Sequence, residues 1–342
     1  MPSFPQTSRA IVAAILFPAA LLSQSPPASA DSVNGGPTRS TSLKAVTVTA
    51  TRTATDVRNV AAPVLVIDSL KIRSQLSNGV ADLLRAEPGV DVVGTGVNQS
   101  RPSIRGQRGQ RILLLEDGMR LNNTRRQQDF GEIASLVDAD QLARVEVVRG
   151  PASVLYGTDA IGGVVNLITR TPAIGRAEKL SGRVTYQYGG AGTLGKTSAS
   201  LGGRTGNWAF DLSGSARVVG DYDAPAGTYG KVKLANSTTL LHSGVRDQNV
   251  AGSLAWRPTA SVDLFAKFER YAAADAGFGY VPPTLIGGDQ TQIEIRYPKQ
   301  EFGKFSAGVH AGALGSSVAD KVDITAYRQK NTRELAQHIF AF

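Results

Sequence analysis

The chain has 342 residues and a formal net charge of +9. Its arginines are scattered rather than gathered into a basic run, so a nucleic-acid partner is not expected. There is no cysteine, which excludes disulfides, thiolate metal sites and cysteine catalysis. Beyond residue 30 no stretch approaches about 18 uncharged apolar residues, so helical membrane spanning is excluded, whereas spanning by strands stays open.

Residues 1–30 read as a cleaved signal peptide. Arg9 is their only charge, Ala10–Leu22 is an apolar run too short to span, and Ala28-Ser29-Ala30 is a small-residue cleavage pattern. Removing Arg9 with the signal leaves +8. Asp31–Ser42 is rich in Gly, Ser, Thr and Pro and reads as a flexible tether. The next stretch, LKAVTVTATR (43–52), is β-branched. It suits either the first strand of the following domain or an exposed segment that adds a strand to another protein's sheet.

Residues 43–172 read as a compact α/β domain. Ala62–Asp68 is an expected strand. Asn78–Ala86 is an expected helix capped by Asn78, with Val80, Leu83 and Leu84 on one face. Val90–Val93 begins another strand, and 101–118 supplies two more. Ile112–Leu115 among these is continuous enough to be buried on both faces, and Asp117-Gly118 turns the chain. Arg144–Arg149 is a strand, Pro151 suits the first position of a short helix, and Gly157 ends it. Gly162-Gly163 permits close backbone approach before the strand Val164–Ile168.

Residues 176–342 alternate with period two. Trp208, Phe210, Leu212, Ala216 and Val218 fall on one face, and Ala209, Asp211, Ser213, Ser215 and Arg217 on the other. Similar segments at 180–190, 196–205, 247–257, 260–271, 300–312 and 320–333 make seven candidate strands. Their length suits tilted bilayer crossing. Connections at Thr205-Gly206, Pro258-Thr259 and Ala313–Ala319 are short. Those at Gly220–Gly244 and Ala272–Lys299 are long, the asymmetry of an outer-membrane barrel, with the first connection at 190–195 a short exception.

The stretch RVEVVRGPASVLYGTDAIGGVVNLITRTP (144–172) closely resembles the end of the plug domain in TonB-dependent outer-membrane receptors. VADLLRAEPGVDV and PSIRGQRGQRILLLEDGMRLNN resemble earlier plug stretches of siderophore, haem and vitamin B12 receptors. The resemblance implies an α/β plug domain followed by an antiparallel transmembrane β-barrel. The barrel is incomplete, about seven of the 22 strands that plugged barrels use. It divides the chain into signal peptide 1–30, leader with TonB box 31–52, plug 53–172 and a truncated barrel portion 176–342. It implies a TonB box at Ala45, Val46, Thr47, Val48, Thr49 and Ala50, grasped by TonB with its inner-membrane energising complex. Two plug loops, Gly94–Ser100 and Arg120–Phe130, would face outward and touch ligand. They carry Gly96, Asn98, Gln99, Asn122, Asn123, Arg125, Arg126 and Gln128, with Gln127 and Asp129 beside them. The expected function is energised uptake of a scarce solute: a ferric siderophore, haem or cobalamin. The expected location is a Gram-negative outer membrane, with lipid and the barrel-assembly machinery as further partners. No enzymatic activity, cofactor or resident metal is expected. Gly94-Thr95-Gly96 lacks the rest of a dinucleotide fingerprint, and His242, His310 and His338 lie far apart. The alternative is a non-transporting periplasmic plug-type binding module or non-functional fragment. A signalling receptor with an extra domain before the box is disfavoured by the short Asp31–Ser42 leader.

Overall fold

The computed structural model describes residues 46–340, apart from 48, 52–54, 95, 122–131, 173, 175–179, 191–192, 231, 283–291 and 316–318. The expected signal peptide and tether therefore lie outside the described residues.

A mixed five-stranded sheet organises the first half. Strands β1 (Val46–Thr47) and β2 (Thr55–Asp56) form a small hairpin ahead of it. The sheet contains β3 (Val64–Asp68), β6 (Ile112–Glu116), β7 (Met119–Arg120), β8 (Leu142–Arg149) and β9 (Gly163–Thr169), in the order β3-β8-β9-β6-β7. Only β6 and β9 run parallel. Strands β4 (Val90–Val93) and β5 (Arg101–Ile104) pair separately. Every residue of β6 is buried, as a strand covered on both faces requires. One face of the sheet (Ile67, Ile112, Leu114, Val145, Val147, Val165, Leu167) packs on Leu83, Leu84, Ile104, Ile133 and Leu136. The other face carries the smaller cluster of Leu113, Leu115, Val148, Ala160 and Val164. Asp117 and Gly118, with φ of 50° and 80°, form the two-residue turn that pairs Glu116 with Met119. Both need positive φ, which explains the Asp-Gly pair. Gly163 is equally constrained: a Cβ there would sit 2.6 Å from the Val148 carbonyl oxygen.

The helices depart from expectation. The helix is α1 (Ser69–Gln75), whose first-turn amides of Leu70 and Lys71 are capped by the Asp68 carboxylate. Residues 78–86 hold only a 3₁₀ turn at Asp82–Leu84, and Ala81, not Asn78, precedes it without a side-chain cap. Val80, Leu83 and Leu84 are buried as expected. A short helix, α2 (Ser153–Tyr156), follows Ala152, which puts Pro151 outside its first position, and Gly157 stops it with φ of 76°.

The second half is one antiparallel sheet of seven strands, called the wall below. They are β10 (Ser181–Gly189), β11 (Leu194–Thr205), β12 (Trp208–Val219), β17 (Val245–Thr259), β18 (Val262–Gly277), β19 (Gln292–Gly312) and β20 (Lys321–Phe340). Neighbours pair in chain order, and among the described residues β10 and β20 each pair on one side only. Between β12 and β17 the chain forms two small hairpins from β13 (Asp223–Ala224), β14 (Gly227–Tyr229), β15 (Val232–Leu234) and β16 (Thr238–Thr239). The expected long connection at Ala272–Lys299 is shorter, because β18 and β19 extend through Gly277 and from Gln292. The turn placed at Pro258-Thr259 falls at 260–261 instead, since Thr259 still pairs with Val262.

The polarity of the wall is inverted relative to a soluble sheet. Trp208, Leu212, Val218, Val250, Leu254, Trp256, Phe268 and Phe305 share the exposed face. Lys196, Arg217, Asn249, Glu269, Lys304 and Ser306 lie on the buried face against the first half. A large apolar surface facing outward calls for a non-aqueous neighbour.

Candidate functional site

The small hairpin sits on a polar pair built into the globular sheet. Glu146 on β8 and Asn166 on β9 are register partners and both are buried. Glu146 Oε2 accepts hydrogen bonds from the Thr47 hydroxyl (2.7 Å) and the Thr49 backbone N–H (2.8 Å). Its Oε1 accepts from Arg144 Nε at 2.7 Å. Asn166 Nδ2 donates to the Thr49 hydroxyl (2.9 Å), and the Tyr156 hydroxyl donates to the Thr49 carbonyl (2.8 Å). Thr47 and Thr49 are consequently inaccessible to solvent. At Thr47 and Thr49 this corrects the expectation of exposure: the two threonines satisfy a buried carboxylate that would otherwise be costly. Ala50 packs beside the smaller apolar cluster, Val46 pairs with Asp56, and Ala45 and Val48 lie outside the described residues.

The loop Gly94–Ser100 also turns inward. Asn98 Nδ2 donates to Gln300 Oε1 on β19 (3.0 Å), and the Tyr271 hydroxyl of β18 donates to Asn98 Oδ1 (3.1 Å). Gln99 is fully buried. Gly96 lies against the backbone of Ser243 and Gly277, where a Cβ would stand 3.1 Å from the Ser243 oxygen. Asn98 and Gln99 are therefore not presented to an external ligand, because the wall side chains claim Asn98 and packing covers Gln99. Asn122, Asn123, Arg125, Arg126, Gln127, Gln128 and Asp129 lie outside the described residues. Arg120, just before them, is fixed to Asp159 (3.0 Å) and the Tyr156 carbonyl (2.9 Å).

Charged contacts join the globular half to the wall. Lys267 Nζ meets Asp117 Oδ2 at 2.9 Å, Lys304 Nζ meets Glu116 Oε2 at 2.7 Å, and Lys196 Nζ meets Asp138 at 2.8 Å and Asp140 at 2.7 Å. Arg217 pairs with Asp247 and reaches the Asn78 carbonyl. Burial alone would raise the Asp117 carboxyl, but Lys267 and the Thr169 hydroxyl and amide hold it below the ordinary carboxylate range. Asp138 is likewise held low against burial by Lys196, Ser215 and the Asp140 amide.

At the opposite end of the wall from its short turns, two histidines 96 positions apart converge on one carboxylate. His242 Nε2 lies 3.2 Å from Glu294 Oε1, and His338 Nδ1 lies 2.9 Å from Glu294 Oε2. No spacing in the sequence could have shown this, since wall pairing creates it. Among the described residues no group of three or more His, Cys, Asp or Glu side chains is placed to hold a metal ion.

Residues 56–164 match the model of the TonB-dependent Receptor Plug Domain. The chain is 30% identical over 245 residues to the ferric enterobactin receptor of Pseudomonas aeruginosa, covering 66% of this chain and 32% of that one. It is 36% identical over 158 residues to the vitamin B12 transporter BtuB of Photobacterium profundum, covering 44% and 25%. The chain thus spans about a third of the length of the curated relatives it matches. In fold it is similar to the copper transporter OprC (TM-score 0.61, 17% identity, 80% of this chain and 38% of that one). It is also similar to the siderophore receptor PirA from Pseudomonas aeruginosa (TM-score 0.50, 23% identity, 79% and 41%). The architecture is a plug domain followed by strands of a partial barrel of this type.

Proposed function

We propose, because the chain belongs to the TonB-dependent receptor family, that it forms the plug and first wall strands of an outer-membrane receptor for energised uptake of a scarce solute. The solute class is a ferric siderophore, haem or cobalamin. The observation that carries this reading is the seven-stranded wall, apolar outside and charged inside, lying against the plug. In water such a face would aggregate; in a bilayer it is the ordinary arrangement of a barrel strand. An open edge in hydrocarbon leaves backbone groups unpaired, so in this reading the working wall contains further strands.

In the same reading residues 1–30 are the export signal, 31–52 the leader, 53–172 the plug and 176–342 the start of the barrel. Outer-membrane lipid and the barrel-assembly machinery are partners of the wall. Residues 45–50 are the TonB box, on which TonB pulls by strand addition. Docking of Thr47 and Thr49 on Glu146 supports a box that is held until the plug changes state. Transport involves no bond-making chemistry. Ligand contact falls to residues 122–128 and the outer loops of the wall rather than to Asn98 and Gln99.

Two measurements test this. The protein should fractionate with outer-membrane vesicles and resist urea extraction; a soluble periplasmic species would favour the binding-module alternative. In the intact receptor, Val48→Pro should abolish energised uptake while leaving ligand binding unchanged. Normal uptake by that variant would remove the box assignment.

A further inference from the structure

We propose that a cavity between the plug and the wall binds one monovalent alkali cation, with sodium as the expected occupant. The cavity, with about 40 Å³ of room for a water-sized occupant, lies beneath β12, β17, β18 and β19, inside the wall rather than at either unpaired edge. Adjacent wall strands aim a polar row into it: Asp211, Ser253 and Lys267 are successive register partners. The plug contributes the turn at Glu116-Asp117, Gln141 and Thr169-Arg170.

Three observations converge on a cation. First, Gln141, Ser253 and Glu269 all line this cavity, and Gln141 Oε1, Ser253 Oγ and Glu269 Oε1 are each buried without a hydrogen-bond partner. Gln141 and Glu269 are only 5% and 7% exposed. All three are oxygens, the donor type that hard cations take, and an orphaned buried oxygen is costly unless something fills its lone pairs. Second, Glu269 is the register partner of Lys304, whose ammonium holds Glu116 Oε2, so two carboxyls depend on one ammonium. Two carboxyls that share one ammonium leave a negative charge uncovered unless a proton or a counter-ion joins them. Third, the local charge does not balance. The lining holds the carboxylates Glu116, Asp117, Asp211 and Glu269 against the cations Arg170, Lys267 and Lys304. Lys267 is committed to Asp117 and Thr169, and Lys304 to Glu116. With all four carboxyls ionised the lining carries one negative charge more than it has cations. A single positive charge restores balance, whereas a divalent ion would overshoot it beside two ammonium groups.

The test is thermal unfolding of the purified protein in detergent micelles at pH 7, in sodium chloride against choline chloride at equal ionic strength. Sodium at about five times its dissociation constant should raise Tm by about 2 °C. Glu269→Gln, which keeps the shape and removes the charge, should abolish that rise, and Ser253→Ala should diminish it. Indistinguishable Tm values in sodium and choline would overturn the site. A sodium response fully retained by Glu269→Gln would do the same. A strong dependence on pH without any on sodium would assign a shared proton to the Glu116–Glu269 pair and also reject the cation. Should Glu269→Gln fail to fold, anomalous diffraction from crystals of the unaltered protein soaked in thallium(I) decides. A peak between Glu269 and Gln141 is expected, and an empty cavity rejects the proposal.

Discussion

The Thr47 hydroxyl donates to the Glu146 carboxylate at 2.7 Å across 99 positions of sequence, and the same oxygen receives the Thr49 amide. Glu146, with Asn166 and Tyr156 beside it, thereby holds the end of the leader to the middle of the plug sheet. The contact to Glu146 is strong because it is charge-assisted and dry.

Thr47→Val should loosen this anchor while leaving the plug core intact. Losing a hydrogen bond to a charged, buried acceptor costs about 1.5–3 kcal/mol. Native-state exchange of the Thr49 amide should therefore accelerate about tenfold or more, whereas amides of β6 should keep their protection. Equal acceleration at both places would mean that Thr47 acts through global stability instead.

Acid should separate the plug from the wall. The folded pKa values of Asp117 and Asp138 lie below the ordinary range. Their contribution is therefore complete above the unfolded value of about 3.9 and is lost as pH falls through the lower folded values. The urea midpoint should be flat between about pH 7 and pH 5 and fall below about pH 4. Asp117→Asn should weaken that fall and lower the plateau at neutral pH.

The pairing of Lys196 with Asp138 and Asp140 should be worth more by its absence than by its presence. Lys196→Met leaves the buried Asp138 carboxylate without its cation, and removing one member of a buried pair costs about 3–5 kcal/mol. Adding Asp138→Asn to that variant should restore part of the loss, because the uncompensated charge is then gone. Urea midpoints of the two single variants and the double variant measure the coupling. Additive losses would mean the pair does not interact.

The outer face of the wall offers the sharpest contrast between bilayer and water. Trp208 and Trp256 stack there at 5.1 Å with their rings 8° from parallel, near the short turns, and Leu212 lies further along the same face. In a bilayer Leu212→Arg should cost about 2–4 kcal/mol if Leu212 lies near the midplane. In a water-soluble sheet the same change would be harmless or helpful. Folding into vesicles, followed by tryptophan emission and its quenching by brominated lipid, distinguishes the two.

Gly163→Ala should destabilise the plug by more than about 1 kcal/mol. The position combines φ of 158° with a Cβ that would sit 2.6 Å from the Val148 oxygen, so both strain and collision apply. A urea midpoint unchanged from that of the parent would contradict this.

Alternation and turn chemistry were legible in the amino-acid order because they are local. Period-two patterning marked all seven wall strands, Asp117-Gly118 marked its turn, and the apolar run Ile112–Leu115 marked a doubly covered strand. Helix placement was not legible. A seven-residue helix such as α1 buries only Ile72, so it carries no apolar stripe, whereas 78–86 carries one and still forms only a 3₁₀ turn. The order of residues also left open which side of the wall faces the plug. Tertiary structure decided that, because burial of Lys196, Lys267 and Lys304 is tolerable only beside the plug carboxylates that meet them. It likewise decided that Thr47, Thr49, Asn98 and Gln99 are covered rather than exposed, and that His242 and His338 share Glu294. Such contacts join residues from 44 to 202 positions apart, and a periodic pattern records a residue's own face but never its distant partner.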